Sequence, residues 1–156
     1  MNISQKGLNL IKIHEGYRAR RYLCAAGIPT IGYGHALKNG ENYTEITESK
    51  AEELLKQDVQ IAESTVNSSV IIKLSQNQFD ALVSLVYNWG TGNFLKSDFL
   101  KKLNSLKYEE VVIGFRSIIK GNGKILPGLV RRREEEIKLF LTQEVDTTSA
   151  TNTALG

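Results

Sequence analysis

The chain has 156 residues, the size of one domain or of one domain divided into two lobes. Its composition, with 41% hydrophobic and 24% charged residues, excludes a disordered or fibrous protein. Twenty Lys and Arg side chains against 17 Asp and Glu leave a net charge of +3, which is too small for a protein dedicated to nucleic acid. We therefore expect a globular protein without a nucleic-acid partner.

The cysteine and histidine content argues against two kinds of site. Cys24 is the only cysteine, so no disulfide can form within the chain. A zinc site needs three or four ligands, and the chain offers only Cys24, His14 and His35 besides carboxylates.

No apolar run approaches the ~20 residues of a membrane span, and the first residues lack the layout of a signal peptide. We expect no metal, no stable membrane association and synthesis in a cytoplasm.

The first elements in chain order are a short helix and a small sheet. Ser4 has the position of an N-cap and Gly16 that of a helix end, which predicts a helix over residues 3–15 with Glu15 in its last turn. Between Arg18 and His35, strand-favouring residues alternate with glycine-containing turns. This pattern predicts a small antiparallel hairpin or three-stranded sheet.

The remainder of the chain is typical of helices. Ile46 and Ala51 flank a Thr47 cap, which predicts a long helix from residue 47 to about Ser64 that links two lobes. A capping-box spacing at Ser75–Gln78 precedes an apolar stripe that ends at Gly90. Further helices are predicted from Ser97 to about Leu103, from Tyr108 to about Ile119 and from Pro127 to about Leu141. Residues 142–156 contain five threonines and no aromatic residue, which predicts a disordered tail.

Glu15 is the first candidate for chemistry. A carboxyl group in the last turn of a helix faces unsatisfied carbonyl groups and the negative end of the helix dipole, an environment that disfavours the ionised form. A carboxyl group that keeps its proton near neutral pH is what a general acid needs. The alternative is a solvated side chain at a frayed helix end.

Three separated motifs follow one another along the chain. In the first, Glu15 is followed nine positions later by Cys24, six further by Thr30, and then by Gly32-Tyr33-Gly34-His35. The other two are Gln76 to Ser84 with Tyr87-Asn88-Trp89-Gly90, and Leu126 to Arg133 with Glu136 and Phe140. Together, over roughly residues 3–141, they resemble the bacteriophage lysozyme (endolysin) family, glycoside hydrolase family 24.

The resemblance implies an α+β, mostly helical fold with two lobes. A small antiparallel sheet would lie in an N-terminal lobe of about residues 14–46, followed by the linking helix over about residues 47–64. A helical C-terminal lobe of about residues 65–141 would pack with the helix over residues 3–15. The active site would lie in the cleft between the lobes.

The resemblance also implies an activity, the hydrolysis of the β-1,4 bond between N-acetylmuramic acid and N-acetylglucosamine in peptidoglycan during host lysis, without a cofactor. Glu15 would protonate the leaving glycosidic oxygen. Thr30, on a strand across the cleft, would help to hold the attacking water. We therefore expect Glu15, Cys24 and Thr30 to be the catalytic residues.

Cys24 departs from the family's usual pattern, because many members carry Asp at its position. Inverting glycosidases generally use two carboxyl groups about 6.5–9.5 Å apart, and this motif supplies one. Cysteine is a known variant at this place, which favours a working site. A thiol with an ordinary pKa of about 8.5 is a few per cent thiolate at pH 7, so Cys24 needs activation or acts mainly by orienting water. The alternative is a small, half-buried structural residue.

The remaining predictions concern a histidine and the arginines, each with an expected partner. His35 is expected to be structural and to pair with Asp58 on the long helix. Two sets of arginines, Arg18, Arg20 and Arg21 and separately Arg131 to Arg133, are expected to be contacts to anionic wall polymer at the cleft rim or a partner for Glu15, the alternative being solvated faces.

The resemblance leaves two rival functions open. A lytic transglycosylase also needs one acidic Glu, uses the sugar's own C6 hydroxyl as nucleophile and produces 1,6-anhydro ends. A wall-binding module without turnover would rely on the basic residues. For the favoured hydrolase we expect a monomer that accumulates in the host cytoplasm, requires a separate holin-like protein to permeabilise the membrane, and then acts on the wall in the periplasm.

Overall fold

The computed structural model describes residues 1–144, in which helices dominate and short strands form two small antiparallel sheets. The α+β, mostly helical prediction is confirmed. No helix in this range combines the length and the apolarity that crossing a bilayer requires. The elements are α1 (Gln5–Glu15), β1 (Arg18–Leu23), β2 (Pro29–Gly32), β3 (His35–Ala36), α2 (Glu48–Asp58), α3 (Gln60–Ser69), α4 (Gln76–Trp89), α5 (Thr91–Leu95), α6 (Asp98–Asn104), α7 (Tyr108–Ser117), β4 (Lys120–Gly121), β5 (Lys124–Ile125) and α8 (Pro127–Leu141).

Helix α1 begins after the predicted Ser4 cap, at Gln5 and not at residue 3, ends at the predicted Glu15 and packs closely on the C-terminal lobe. The Ser4 side chain caps the helix at the Gly7 amide, and Gly16 ends it with a φ of +75°. A Cβ on Gly7 would lie 2.8 Å from Asp80 of α4, so only glycine permits this approach. Asp80 in turn accepts a hydrogen bond of 3.0 Å from the Ser4 backbone amide. This packing holds the first turn of α1 on α4.

The three-stranded sheet has the order β1-β2-β3 with antiparallel neighbours. The segment before α2 extends it beyond β1, because the Arg21 amide donates to the Thr44 carbonyl (3.0 Å) and the Ile46 amide to the Ala19 carbonyl (2.9 Å). Residues 24–28 form the tight connection between β1 and β2. Cys24 therefore lies at the tip of a hairpin.

The predicted linking helix of about residues 47–64 is longer in the structure and is interrupted. It begins after the predicted Thr47 cap, breaks at Val59 between α2 and α3, and ends at Ser69. The sequence from Ser64 to Ser69 is rich in weak helix formers. Burial of Thr65 and Val66, however, stabilises the helix beyond its predicted end.

The C-terminal lobe is built around α4. Ser75 and Gln78 form the predicted capping box. Helix α4 buries nine of its side chains and packs against α1, α3 and α8. Helix α8 begins at Pro127 and ends at Leu141, as predicted. These two helices form the wall of the C-terminal lobe that faces Glu15.

Two small elements were not predicted from the sequence. Helix α5 (Thr91–Leu95) follows α4 directly and buries Phe94. The β4–β5 hairpin turns at Asn122 and Gly123, which have φ values of +52° and +77°. An Asn-Gly pair is a strong signal for such a turn, but the flanking strands have only two residues each.

The predicted disordered tail, residues 142–156, lies mostly outside the described residues. Two of its first three residues, Thr142 and Glu144, contact the folded chain. The Thr142 carbonyl accepts a hydrogen bond of 3.0 Å from the Asn77 side chain, and a Glu144 carboxylate oxygen accepts one of 3.0 Å from the Asn77 backbone amide. The chain therefore packs on the start of α4 beyond the predicted boundary at Leu141.

Candidate active site

Glu15 is the last residue of α1 and is contacted from both lobes. One carboxylate oxygen, Oε1, accepts a hydrogen bond of 2.8 Å from Arg132 Nη1 of α8. The other, Oε2, lies 3.2 Å from the place that a Cβ on Gly34 would occupy. Gly34 belongs to the turn between β2 and β3, where its φ is +78°. Any side chain at residue 34 would therefore press against the carboxylate.

An open pocket of about 450 Å³ lies beside Glu15. Its polar lining includes Glu15, Asn88 and Arg132, and its apolar lining includes Leu126 and Leu129. The volume falls within the range of about 300–1,000 Å³ that is usual for ligand sites. Glu15, with its side chain 24% exposed, is accessible to a ligand in this pocket.

A network of buried charges holds Arg132 in place behind the pocket. Its Nη2 atom donates to the Ser84 carbonyl (3.2 Å) and hydroxyl (3.3 Å), and the Ser84 hydroxyl donates to Glu136 Oε2 (2.6 Å). Glu136 is fully buried and also accepts from Arg133. Arg132 and Arg133 thus share the charge of Glu136, and Arg132 also meets that of Glu15. The predicted pairing of an arginine with Glu15 is confirmed for Arg132.

Arg132 and Arg133 lie neither at a cleft rim nor on a solvated helix face, the two positions that the sequence predicted. Arg132 and Arg133 are 3% and 1% exposed, and Arg131 alone of the three is exposed. A signal for this burial was present in the sequence, because residues 132, 136 and 140 recur at the helical spacing of four. Phe140 is apolar, so the charged members of that stripe share the face of α8 that packs on the core.

Cys24 lies in the connection between β1 and β2 and is partly buried. Its amide donates to the Ile28 carbonyl (3.0 Å), and its carbonyl accepts from the Gly27 amide (2.8 Å). Backbone hydrogen bonds from Ile28 and then Ala26 lower the pKa of the Cys24 thiol below its ordinary value, with a smaller contribution in the same direction from Thr30. The turn thus favours the thiolate, the reactive form of cysteine.

Thr30 is buried on β2 and is brought next to Cys24. Its hydroxyl donates a hydrogen bond of 2.8 Å to the Ile28 carbonyl, which leaves its lone pairs free to accept from a thiol or a water. If Cys24 ionises, the same hydroxyl can turn and donate to the sulfur, because the Cys24 amide still satisfies Ile28. Within residues 1–144, no hydrogen bond or ion pair joins Glu15 to Cys24 or Thr30.

His35 pairs with Asp58 as predicted, with 2.7 Å between Nδ1 and the carboxylate. A second carboxylate, that of Glu41, lies 3.0 Å from Nε2 and was not predicted. Burial by itself lowers the pKa of His35, but the hydrogen bonds to Asp58 and then Glu41 outweigh burial, so the pKa is raised. His35 therefore joins β3 to α2 and to the loop that carries Glu41.

Several known proteins are similar in sequence to this chain. The phage lysozyme family model matches residues 12–136. The endolysin of Acyrthosiphon pisum secondary endosymbiont phage 1 is 44% identical over 146 residues, which cover 90% of this chain and 98% of that protein. The endolysin of Bacillus phage B103 is 43% identical over 149 residues, which cover 92% of this chain. The chain spans only 56% of that longer relative.

A solved structure gives the same result. The muramidase domain of SpmX from Asticaccaulis excentricus superimposes with a TM-score of 0.83 and is 36% identical, and the match covers 91% of this chain and 99% of that one. The two-lobed resemblance inferred from the motifs is therefore confirmed over nearly the whole described chain. The chain belongs to the phage lysozyme family.

Proposed function

We propose that the protein is an endolysin that hydrolyses the β-1,4 bond between N-acetylmuramic acid and N-acetylglucosamine in peptidoglycan. Membership of the phage lysozyme family supports the substrate class. The observation that carries the proposal is the Glu15 carboxyl group, held by Arg132 at 2.8 Å on the wall of an open pocket. A carboxyl group in such a place can reach the glycosidic oxygen of a bound polymer.

Glu15 acts as the general acid and protonates the leaving glycosidic oxygen. As the proton leaves, negative charge develops on the carboxylate, which the Arg132 guanidinium stabilises through an existing hydrogen bond. Because the buried network already holds Arg132, little reorganisation is needed at that moment. Arg132 therefore supports proton transfer through its hydrogen bond to Glu15.

Cys24 and Thr30 act on the water. The lowered pKa of the Cys24 thiol supplies a larger thiolate fraction than a free cysteine would have at neutral pH. The thiolate orients the attacking water and accepts its proton, and the Thr30 hydroxyl holds the sulfur or the water in place. In an inverting reaction of this kind, the sugar and the attacking water would lie between this pair and Glu15.

The remaining parts of the proposal concern the setting. The enzyme acts as a monomer, since the catalytic side chains that we assign all belong to one chain. Its relatives are phage endolysins, which supports accumulation in the host cytoplasm, release by a separate holin-like protein and action on the wall in the periplasm. Light scattering of the purified protein tests the monomer, and lysis with and without a co-expressed holin tests the partner.

Digestion of purified peptidoglycan followed by mass spectrometry tests the proposed reaction. Hydrolysis gives reducing-end muramic acid. Products with 1,6-anhydro ends would instead indicate a lytic transglycosylase, and binding without cleavage would indicate a wall-binding module.

The Glu15→Gln variant tests the proposed acid. The amide keeps the shape of the side chain but cannot protonate the glycosidic oxygen, so turnover should fall by roughly 10²–10⁴-fold with the fold intact. Reducing-end assays give the rate, and circular dichroism checks the fold. A variant that kept more than about a tenth of the wild-type rate would remove Glu15 from this role.

A further inference from the structure

Asn88 lies on the wall of the pocket that contains Glu15, yet it takes no part in the proposed proton transfer. It is the penultimate residue of α4, and its side chain is exposed. It lines the pocket together with Glu15 and Arg132. Its side-chain amide carries a carbonyl oxygen and a nitrogen with two hydrogens, so its orientation decides what it offers to a ligand.

The structure fixes that orientation through Arg133. Arg133 Nη2 donates a hydrogen bond to Asn88 Oδ1, and a guanidinium group has no acceptor, so the amide cannot be reversed without losing the bond. Arg133 is itself held by the Ile118 carbonyl at 2.7 Å and by Glu136, and is 1% exposed. The Asn88 Nδ2 atom must therefore point away from the core.

The two hydrogens on Nδ2 have no acceptor among residues 1–144. We propose that Asn88 Nδ2 binds an amide carbonyl oxygen of the peptidoglycan substrate next to Glu15. This inference rests on the proposed function and adds a substrate-binding residue to it. An immobilised N–H donor selects an acceptor, and the apolar side chains of Leu126 and Leu129 in the same pocket suit the methyl group of an acetamide.

Amide carbonyls occur in two parts of peptidoglycan. The acetamido groups on the sugars carry one kind, and the peptide bonds of the stems carry the other. The chemistry that Asn88 recognises is common to both, so the experiment must separate them by substrate.

The Asn88→Asp variant isolates the Nδ2 atom. A carboxylate keeps an acceptor for Arg133, and so keeps the core contact, but replaces the donor in the pocket by a second acceptor. We expect the maximum of the kcat/KM pH profile to fall by about fivefold, which lies within the roughly twofold to twelvefold range for the loss of one neutral hydrogen bond. The thermal midpoint should stay within the error of the wild type.

The matched control is Asn9→Asp, on the exposed surface of α1. It introduces the same charge outside the pocket, where Asn9 accepts a hydrogen bond from Gln5 only. Its kcat/KM should stay within about twofold of wild type, the change expected when no substrate hydrogen bond is lost. A new carboxylate near Glu15 shifts the pH at which activity is highest. Comparing the maxima of full pH profiles removes the effect of such a shift.

Two substrates identify the carbonyl, namely glycan strands with their stem peptides and the same strands after an amidase has removed the stems. A defect that persists on stem-free strands assigns the acetamido carbonyl, and one that disappears assigns the stem. The dissociation constants of both strands for Glu15→Gln, with and without Asn88→Asp, test binding in the absence of turnover. Unchanged maxima and unchanged dissociation constants on both strands would overturn the inference.

The outcome can be separated from failure of the proposed function. If the wild type releases no reducing ends from peptidoglycan, the proposed function fails. If the wild type cleaves and Asn88→Asp cleaves equally well, only the assignment of Asn88 fails.

Discussion

The two walls of the proposed cleft are built in different ways. On the wall formed by α1, α4 and α8, Glu15 is held by Arg132, which depends on Ser84, Glu136 and a buried network. On the opposite wall, Cys24 is held by the backbone of a short hairpin turn, and its neighbours Ala25 to Ile28 are exposed. One wall uses buried charge and the other uses backbone hydrogen bonds near solvent.

This difference separates stability from activity. Buried charges that lose a partner cost several kcal/mol, so changes in the α8 network should damage folding as well as catalysis. An exposed turn contributes little to the core. Changes to the Cys24 side chain should therefore alter the rate while leaving the free energy of unfolding nearly unchanged.

The largest expected effect on stability is that of Glu136→Gln. Removing this charge leaves Arg132 and Arg133 buried without their shared carboxylate, which should cost about 3–5 kcal/mol in the free energy of unfolding. The matched control on the same helix is Glu134→Gln, which removes an exposed pair with Arg116 and should cost less than about 1 kcal/mol. Urea unfolding of both variants gives the comparison. Equal losses would contradict the distinction between the buried and exposed faces of α8.

An intermediate and pH-dependent effect is expected for Asp58→Asn. The raised pKa of His35 means that its ionic contribution is complete below the unfolded value of about 6.5 and is lost as the pH rises through the folded value. Loss of the charged hydrogen bond should cost about 1.5–3 kcal/mol at pH 5.5 and less at pH 9. Glu41, which also faces His35, remains and limits the loss.

The control for this pair is Asp98→Asn. Asp98 is 84% exposed and lies 3.8 Å from Lys101, so its removal should cost little at either pH. Thermal unfolding at pH 5.5 and pH 9 measures both variants. An Asp58→Asn loss that is the same at the two pH values would show that the His35 charge contributes nothing.

The smallest effect is expected for Glu144→Ala. Glu144 accepts a hydrogen bond from the Asn77 amide in the first turn of α4, where a negative charge also meets the positive end of the helix dipole. Its loss should lower the free energy of unfolding by about 0.3–1 kcal/mol without changing turnover. Urea unfolding measures this change. An unchanged free energy of unfolding would instead place the end of the stably folded chain at Leu141.

Local sequence signals predicted most of the fold. The caps at Ser4, Thr47 and Ser75 and the stop at Gly16 all hold, because each depends on groups within one helical turn. The end of α3 was missed because it depends on burial of Val66 by another part of the chain. Tertiary packing of this kind overrides weak local propensity.

The site was predictable to different degrees on its two walls. Glu15, Cys24 and Thr30 were singled out by spacing and resemblance, and their catalytic roles remain predictions. Arg132, which holds Glu15, lies more than 100 positions away along the chain, so the helical spacing that indicates its burial could not indicate its pairing with Glu15. The fixed orientation of Asn88 likewise arises only when α4 packs on α8.

Cys24 offers the most direct test of the account, because it is the point at which a thiol takes the place of the usual carboxylate. The measurement is the pH profile of turnover, together with the thermal midpoint, for the wild type, Cys24→Ala and Cys24→Asp. Cys24→Ala should lose most of its activity at an unchanged midpoint. Cys24→Asp should keep substantial activity, with its rising limb displaced toward the ordinary carboxyl pKa of about 3.9. A fully active, normally stable Cys24→Ala protein would contradict the account and leave Glu15 and Thr30 as the only proposed catalytic residues.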